Sequence, residues 1–218
     1  MSILIRPCIG TEEYLETCRL IESIYRNHGY VEYLRPDEHP GQLFIAIEDG
    51  QIVGSVGVAL ASHQVLPTEF YFGVRVENVP DDVGECHSRQ AGFEICKLGS
   101  VGKSRLPILK GLISAVYEYA LVNGCRIGLA CMKPRLTRIL NEHLNIPLTH
   151  LNGEVVVERV EDIYRGYFLG DPRPQAVSFV IRGIPAYMSR MRAEIKGDVQ
   201  VAIDGAVSHE IMESEALR

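Results

Sequence analysis

One stretch constrains this chain more than any other. Residues 93–132 read FEICKLGSVGKSRLPILKGLISAVYEYALVNGCRIGLACM. A mostly apolar run ends in a glycine-containing turn. A helical stretch from Leu106 to Val122 follows, opened near Pro107, where proline suits a first helical turn, and stopped at Asn123-Gly124. A second apolar run closes the unit. Two buried strands joined by a helix lie parallel in one sheet, with a right-handed crossover as the default.

The flanks fill in the rest. SILIRPC reads as a first strand. Tyr14, Leu15, Cys18, Ile21, Ile24 and Tyr25 recur at helical spacing, with Thr11 as N-cap and Gly29 as stop. QLFIAIEDGQIVGSVGVALA is a hairpin turning at Asp49-Gly50. Residues 64–84 are irregular, with two prolines, some extended structure and an apolar group (Val65, Leu66, Phe70, Tyr71, Phe72, Val74) that needs something to cover. The expectation is that they wall a tunnel leading away from Glu94; a plain extra strand on the core is the alternative. PRLTRILNEHL is a short helix opened by Pro134, GEVVVERV and QAVSFVIRG are late strands, and PAYMSRMRAEI is a further helical piece. The fold class is α+β: one mixed sheet flanked by helices, with the strands before and after the 99–104 turn at its centre. Residues 1–203 form a single domain, and 204–218 a short acidic tail.

The 218 residues are 46% hydrophobic and 23% charged with a net charge of −6, so a full core is within reach. No basic stripe with interleaved aromatics marks a nucleic-acid surface. No apolar run approaches the ~20 residues of a membrane span, and the N-terminus is too short and too soon charged for a signal peptide. The six cysteines form no Cys-x-x-Cys pair, so neither a metal site nor a disulfide framework is expected. Buried thiols in a reducing cytoplasm account for them. Cys86-His87 could be a metal or nucleophile pair, but adjacent residues on a strand point apart.

The central turn invites comparison with a phosphate-binding P-loop. Gly102-Lys103-Ser104 supplies its end, but the first glycine belongs at position 97, which is Lys97, so the spacing fails. The physics still applies: Lys97, Lys103, Ser104 and Arg105 lie beside glycines at a helix start, where an anion is favoured. A solvated turn is the alternative. Glu94, inside the apolar strand, is either an outward-facing residue or partner of Lys97, or a base tuned by its surroundings.

With those residues in view, FEICKLGSVGKSRLPILKGLISAVYEYALVNGCRI resembles the core of the GNAT acyltransferase superfamily, where a strand, a pyrophosphate loop, a helix and a second strand follow in this order. Arg105 falls on the family's loop arginine. Its glycines fall on Leu106, Ile108 and Lys110, which points away from ordinary acetyl-CoA binding and toward a branch with another donor. FEICKL is similar to the central strand of the autoinducer synthases and N-acyl amino acid synthases at Phe93, Glu94 and Leu98, with Cys96 and Lys97 in place of a hydroxyl residue and an arginine. CRLIESIYRNHGYV matches at Tyr25, Gly29 and Tyr30, and MKPRLTRILNEHLNIPLTHLNGE is similar to a later helix and turn. Gly57 replaces an arginine of the homoserine-lactone synthases, so a S-adenosylmethionine site of that type is not supported. Asn141 stands near the position of a tyrosine acid found in many acetyltransferases.

The resemblance implies an N-acyltransferase. Its donor would be acyl-CoA or an acyl-phosphopantetheine on acyl carrier protein, its acceptor a small-molecule amine, and it would need no metal. Glu94 would be the base. Backbone groups of Leu98, Gly99 and Ser100 would polarise the thioester carbonyl, and Gly102, Lys103, Ser104 and Arg105 would hold the phosphate. An ordinary acetyl-CoA-dependent acetyltransferase and a non-catalytic acyl-carrier-binding fold remain as alternatives.

Overall fold

The computed structural model describes residues 2–35, 40–80, 88–181, 189, 191, 193–195, 197 and 199–203. Cys86-His87, the end of the 64–84 segment, part of the helical piece at 185–195 and the tail 204–218 lie at least partly outside them.

The chain builds one eight-stranded sheet from β1 (Ile3–Pro7), β2 (Gln42–Glu48), β3 (Gln51–Leu60), β4 (Gly92–Ser100), β5 (Ile127–Met132), β6 (Thr149–His150), β7 (Gln175–Val180) and β8 (Val199–Val201). Their order is β6-β7-β5-β4-β3-β2-β1-β8. The unit expected from residues 93–132 is present: β4 and β5 are parallel neighbours at mid-sheet, joined by α3 (Arg105–Val122). The 42–60 hairpin turns at Asp49 (φ 52°) and Gly50 (φ 79°), the left-handed pair that a two-residue turn demands.

Helices cover both faces. α3 and α4 (Pro134–Leu144) lie on one, over Phe44, Val56, Val58, Phe93, Ile95, Met132 and Phe179. Only a small residue lets α3 approach so closely: a Cβ on Gly111 would lie 2.8 Å from both Ile5 and Val199 side chains. On the other face sit α1 (Gly10–Asn27), α2 (Pro67–Phe72) and the loop carrying α5 (Arg165–Phe168). α1 is capped at Ile9 rather than Thr11; the Glu13 carboxylate accepts the Ile9 N–H at 2.6 Å and pairs with Arg6.

Three local expectations need correction. Over its described residues, 64–80, the segment forms no strand: Pro67 opens α2, and Gly73 at φ 67° closes it. It does cover something, but not a tunnel: Leu66, Val76 and Val79 are buried against Ala59, Ala61, Ile127 and Leu129. GEVVVERV is not a strand. Its backbone turns at Val157–Arg159, and Val156 donates its N–H to the Tyr71 carbonyl, so the segment lies against α2 and not in a ladder: Val155 packs there and Val157 stays exposed. β8 went unforeseen because a three-residue strand carries almost no periodicity; its parallel pairing with β1 is what makes it visible.

Candidate active site

β4 and β5 pair only from Gly92↔Ile127 to Glu94↔Leu129, although β4 runs on to Ser100 and β5 to Met132. Beyond Glu94 the strands part. The departure coincides with a bulge in β4: Lys97 takes φ 47°, and the register with β3 slips between Ser55 and Gly57. A bulge bends its strand and turns it from its neighbour. The bulge is pinned, since the Ser55 hydroxyl donates to the Lys97 carbonyl at 3.0 Å. Lys97 itself turns to α1, its ammonium 5.8 Å from the Tyr14 ring centroid, and does not pair with Glu94.

The parted strands open into a cavity of about 440 Å³. Its walls divide by chemistry. Leu98, Leu106, Leu109, Leu112, Leu136 and Ile139 form an apolar section between α3 and α4. Arg105, Arg135 and His143 bring basic groups to it from those helices. Tyr25, His28, Tyr30, Tyr167 and Lys133 form a polar aromatic end. Of the residues singled out in the sequence, Leu98, Gly99, Ser100 and Arg105 line this cavity. Gly102, Lys103 and Ser104 do not. They make the turn into α3, with Gly102 at φ 84° and accepting from Arg105 Nε at 3.2 Å. Ser104 is the N-cap residue, though its side chain makes no cap bond. The first N–H groups of α3 have no partner within the helix.

Glu94 stands where the pairing of β4 and β5 ends, yet it does not line the cavity. It is wholly buried. α2 closes over it: the Thr68 N–H donates to one carboxylate oxygen at 2.8 Å and the Thr68 hydroxyl to the other at 2.7 Å. Burial pushes its pKa from the ordinary 4.5 up to about 8, against the pull of the two Thr68 hydrogen bonds. The next residue of α2, Glu69, is held the other way. Arg89 grips it with two hydrogen bonds of 2.8 Å, and the Leu66 and Val76 N–H groups add two more. Burial alone would raise its pKa, but these partners together keep it below the ordinary value. Two neighbouring carboxyls are thus pushed apart: burial raises the pKa of Glu94, and its partners hold that of Glu69 down.

Lys133 was not foreseen. It follows β5, is 6% exposed, and donates to the carbonyls of Gly170 (2.9 Å) and Pro172 (2.8 Å). Its ammonium lies 5.3 Å and 5.2 Å from the Tyr30 and Tyr167 ring centroids. Burial lowers its pKa. A Lys-Pro dipeptide reads as a helix opening, and nothing in the sequence says that this lysine is interior. Among the described residues no group of His, Cys, Asp or Glu is placed to hold a metal ion, and no helix is long and apolar enough to cross a membrane.

No protein-family model matches the chain, and no curated protein does. Solved structures do. A CoA-dependent acyl-homoserine lactone synthase, BjaI, determined with SAM and isopentyl-CoA, is 18% identical, with 94% of this chain and 93% of that one covered at a TM-score of 0.62. FeeM, an N-acyl amino acid synthase from uncultured soil microbes, is 13% identical, with 88% and 93% covered at 0.57. An acetyltransferase of the GNAT family from Staphylococcus aureus Mu50 is 13% identical, with 83% and 99% covered at 0.51. The chain has a GNAT-like fold. The single mixed sheet flanked by helices is the architecture that the resemblance in residues 93–127 implied. At these identities the likeness is one of fold.

Proposed function

We propose that this GNAT-fold protein is an N-acyltransferase. It moves an acyl group from a phosphopantetheine thioester, on CoA or acyl carrier protein, to the amine of an amino acid or another small metabolite. The observation that carries the reading is the gap between β4 and β5 and the cavity behind it. There an edge of β4 is left without a strand partner beside an apolar section and a basic flank.

An extended pantetheine arm fits such an edge as a missing strand would, through its amides. Backbone groups of Leu98, Gly99 and Ser100 lie beside the reacting carbonyl and stabilise the oxyanion that develops there. Arg105, with Arg135 and the start of α3, holds the phosphate. Lys103 and Ser104 flank it on the turn. The acyl chain lies among Leu106, Leu109, Leu136 and Ile139. The amine attacks the thioester carbonyl, the C–N bond forms, the C–S bond breaks and the thiolate leaves. Glu94 takes up the amine's proton through a water, because Thr68 closes its carboxylate off from direct contact. A carboxyl with a pKa of about 8 acts as a base through its ionised fraction, which grows as pH rises toward 8.

The complete burial of Glu94 favours one competing reading, a non-catalytic fold that binds an acyl carrier. Mass spectrometry of the purified protein, incubated with acyl-CoA and acyl carrier protein donors and a pool of amines, separates the two. An N-acyl product supports transfer. Donor retained without product supports the carrier-binding fold.

A further inference from the structure

Lys133 poses a problem that acyl transfer alone does not answer. A buried ammonium is costly unless an opposite charge meets it. Lys133 is 6% exposed, and no carboxylate of the described residues pairs with it; Asp171 is felt as a charge but makes no ion pair with it. Two backbone carbonyls take two of its three N–H groups. They fix the side chain without neutralising it. The third N–H has no hydrogen-bond partner among the described residues, and Lys133 lines the cavity.

The surroundings narrow what can meet it. Tyr30 and Tyr167 stand edge to face, centroids 5.3 Å apart, each about as far from the ammonium. Tyr25 stacks on Tyr167 at 6.4 Å, and the Tyr167 hydroxyl is committed to the Cys131 carbonyl at 2.8 Å. The tyrosines hold one another rigid and supply cation–π contact. One free N–H in an aromatic box suits a small planar anion. A phosphate needs more donors, and the exposed Arg105 and Arg135 on α3 and α4 provide charge for that elsewhere in the cavity.

We propose that Lys133, set between Tyr30 and Tyr167, is the anion anchor of the acceptor site and binds the carboxylate of the amine to be acylated. The acceptor is then an aminocarboxylate, and neutral amines and polyamines are rejected because they leave the buried ammonium unmet. The proposal rests on the acyl-transfer reading only in naming the carboxylate as the acceptor's. Lys133 is a specificity residue and takes no part in proton transfer.

The test uses the whole protein and three probe sets: the twenty standard L-amino acids, their C-terminal amides, and the corresponding decarboxylated amines. Saturation-transfer NMR reads binding without turnover, and thiol release from octanoyl-CoA reads transfer. One or more amino acids should bind at least tenfold more tightly than their amides. Lys133→Met should remove that preference, lower kcat/KM for the acid at least tenfold through KM, and leave amide binding as it was. Equal binding of acids and amides by the wild-type protein overturns the proposal and needs no variant to fold. So does a preference that survives in a folded Lys133→Met protein. Lys133-dependent binding of acids with no acyl product from any donor sustains the anchor and overturns acyl transfer. Product formed equally well from decarboxylated amines sustains transfer and overturns the anchor.

Discussion

Replacing Glu94 by Gln should stabilise this protein and disable it at once. The neutral carboxyl and the amide present the same face to Thr68: an oxygen accepts the Thr68 N–H, and the other end donates to the Thr68 hydroxyl, which reverses its role. Only the ionised form differs. With a folded pKa of about 8 against an ordinary 4.5, the native state binds the Glu94 proton more tightly than the unfolded chain does. The unfolded state therefore holds fewer protons between these values, and stability falls as pH rises through that window, by about 1.4 kcal/mol per pH unit. The Gln variant escapes the loss. It should match wild type near pH 4.5, exceed it by about 3 kcal/mol at pH 7, and gain nothing further above pH 8. Urea denaturation of both proteins from pH 5 to 8.5 measures the difference, and other titrating groups cancel in the comparison. Turnover by thiol release should fall about a hundredfold at neutral pH, and the deficit should lessen at high pH, where the amine is already neutral. A variant less stable than wild type at pH 8, or a gap that does not grow with pH, would refute the reasoning. It would mean that the carboxylate is ionised in place and belongs to the scaffold.

Arg105→Ala with Arg135→Ala should weaken donor binding by at least tenfold, since each charged contact is worth on the order of 1 kcal/mol or more. Lys103→Ala should do less, and the losses should shrink as salt rises in a calorimetric titration. Donor affinity should climb several-fold per added methylene, each worth about 0.8 kcal/mol, until the apolar section is full; competition across a chain-length series reads this, and a best donor of two carbons would point to an ordinary acetyltransferase. Arg89→Ala leaves Glu69 buried without its cation, so the melting temperature should drop by the equivalent of about 2 kcal/mol or more, and the displaced α2 should shift the pH dependence of turnover. Gly128→Ala places a Cβ 2.1 Å from the Phe179 ring; overpacking of that kind costs about 1–3 kcal/mol, readable as a lower denaturation midpoint.

Much of the architecture was written locally. The Asp49-Gly50 turn, the apolar runs of β4 and β5 and the helix between them are short-range signals, because turn chemistry and burial periodicity act over a few residues. The same holds for Arg105 at the helix start and for Glu94 as an ionisable group in an apolar strand. What the local signals could not carry was direction and enclosure. Whether Glu94 faces water depends on α2, a helix of six residues that arrives from a segment whose prolines disguise it. Whether Lys133 is a surface charge or an interior one depends on the turn at 170–172, on Tyr30 just beyond α1 and on Tyr167 of α5, all far from it in sequence. Residues 102–104 look alike as a charged turn, yet only their neighbour Arg105 reaches the cavity wall. Residue type and spacing decide which elements form, since those terms are local. The parting of β4 from β5, the burial of a carboxyl and the caging of an ammonium arise where distant segments meet, and there packing decides.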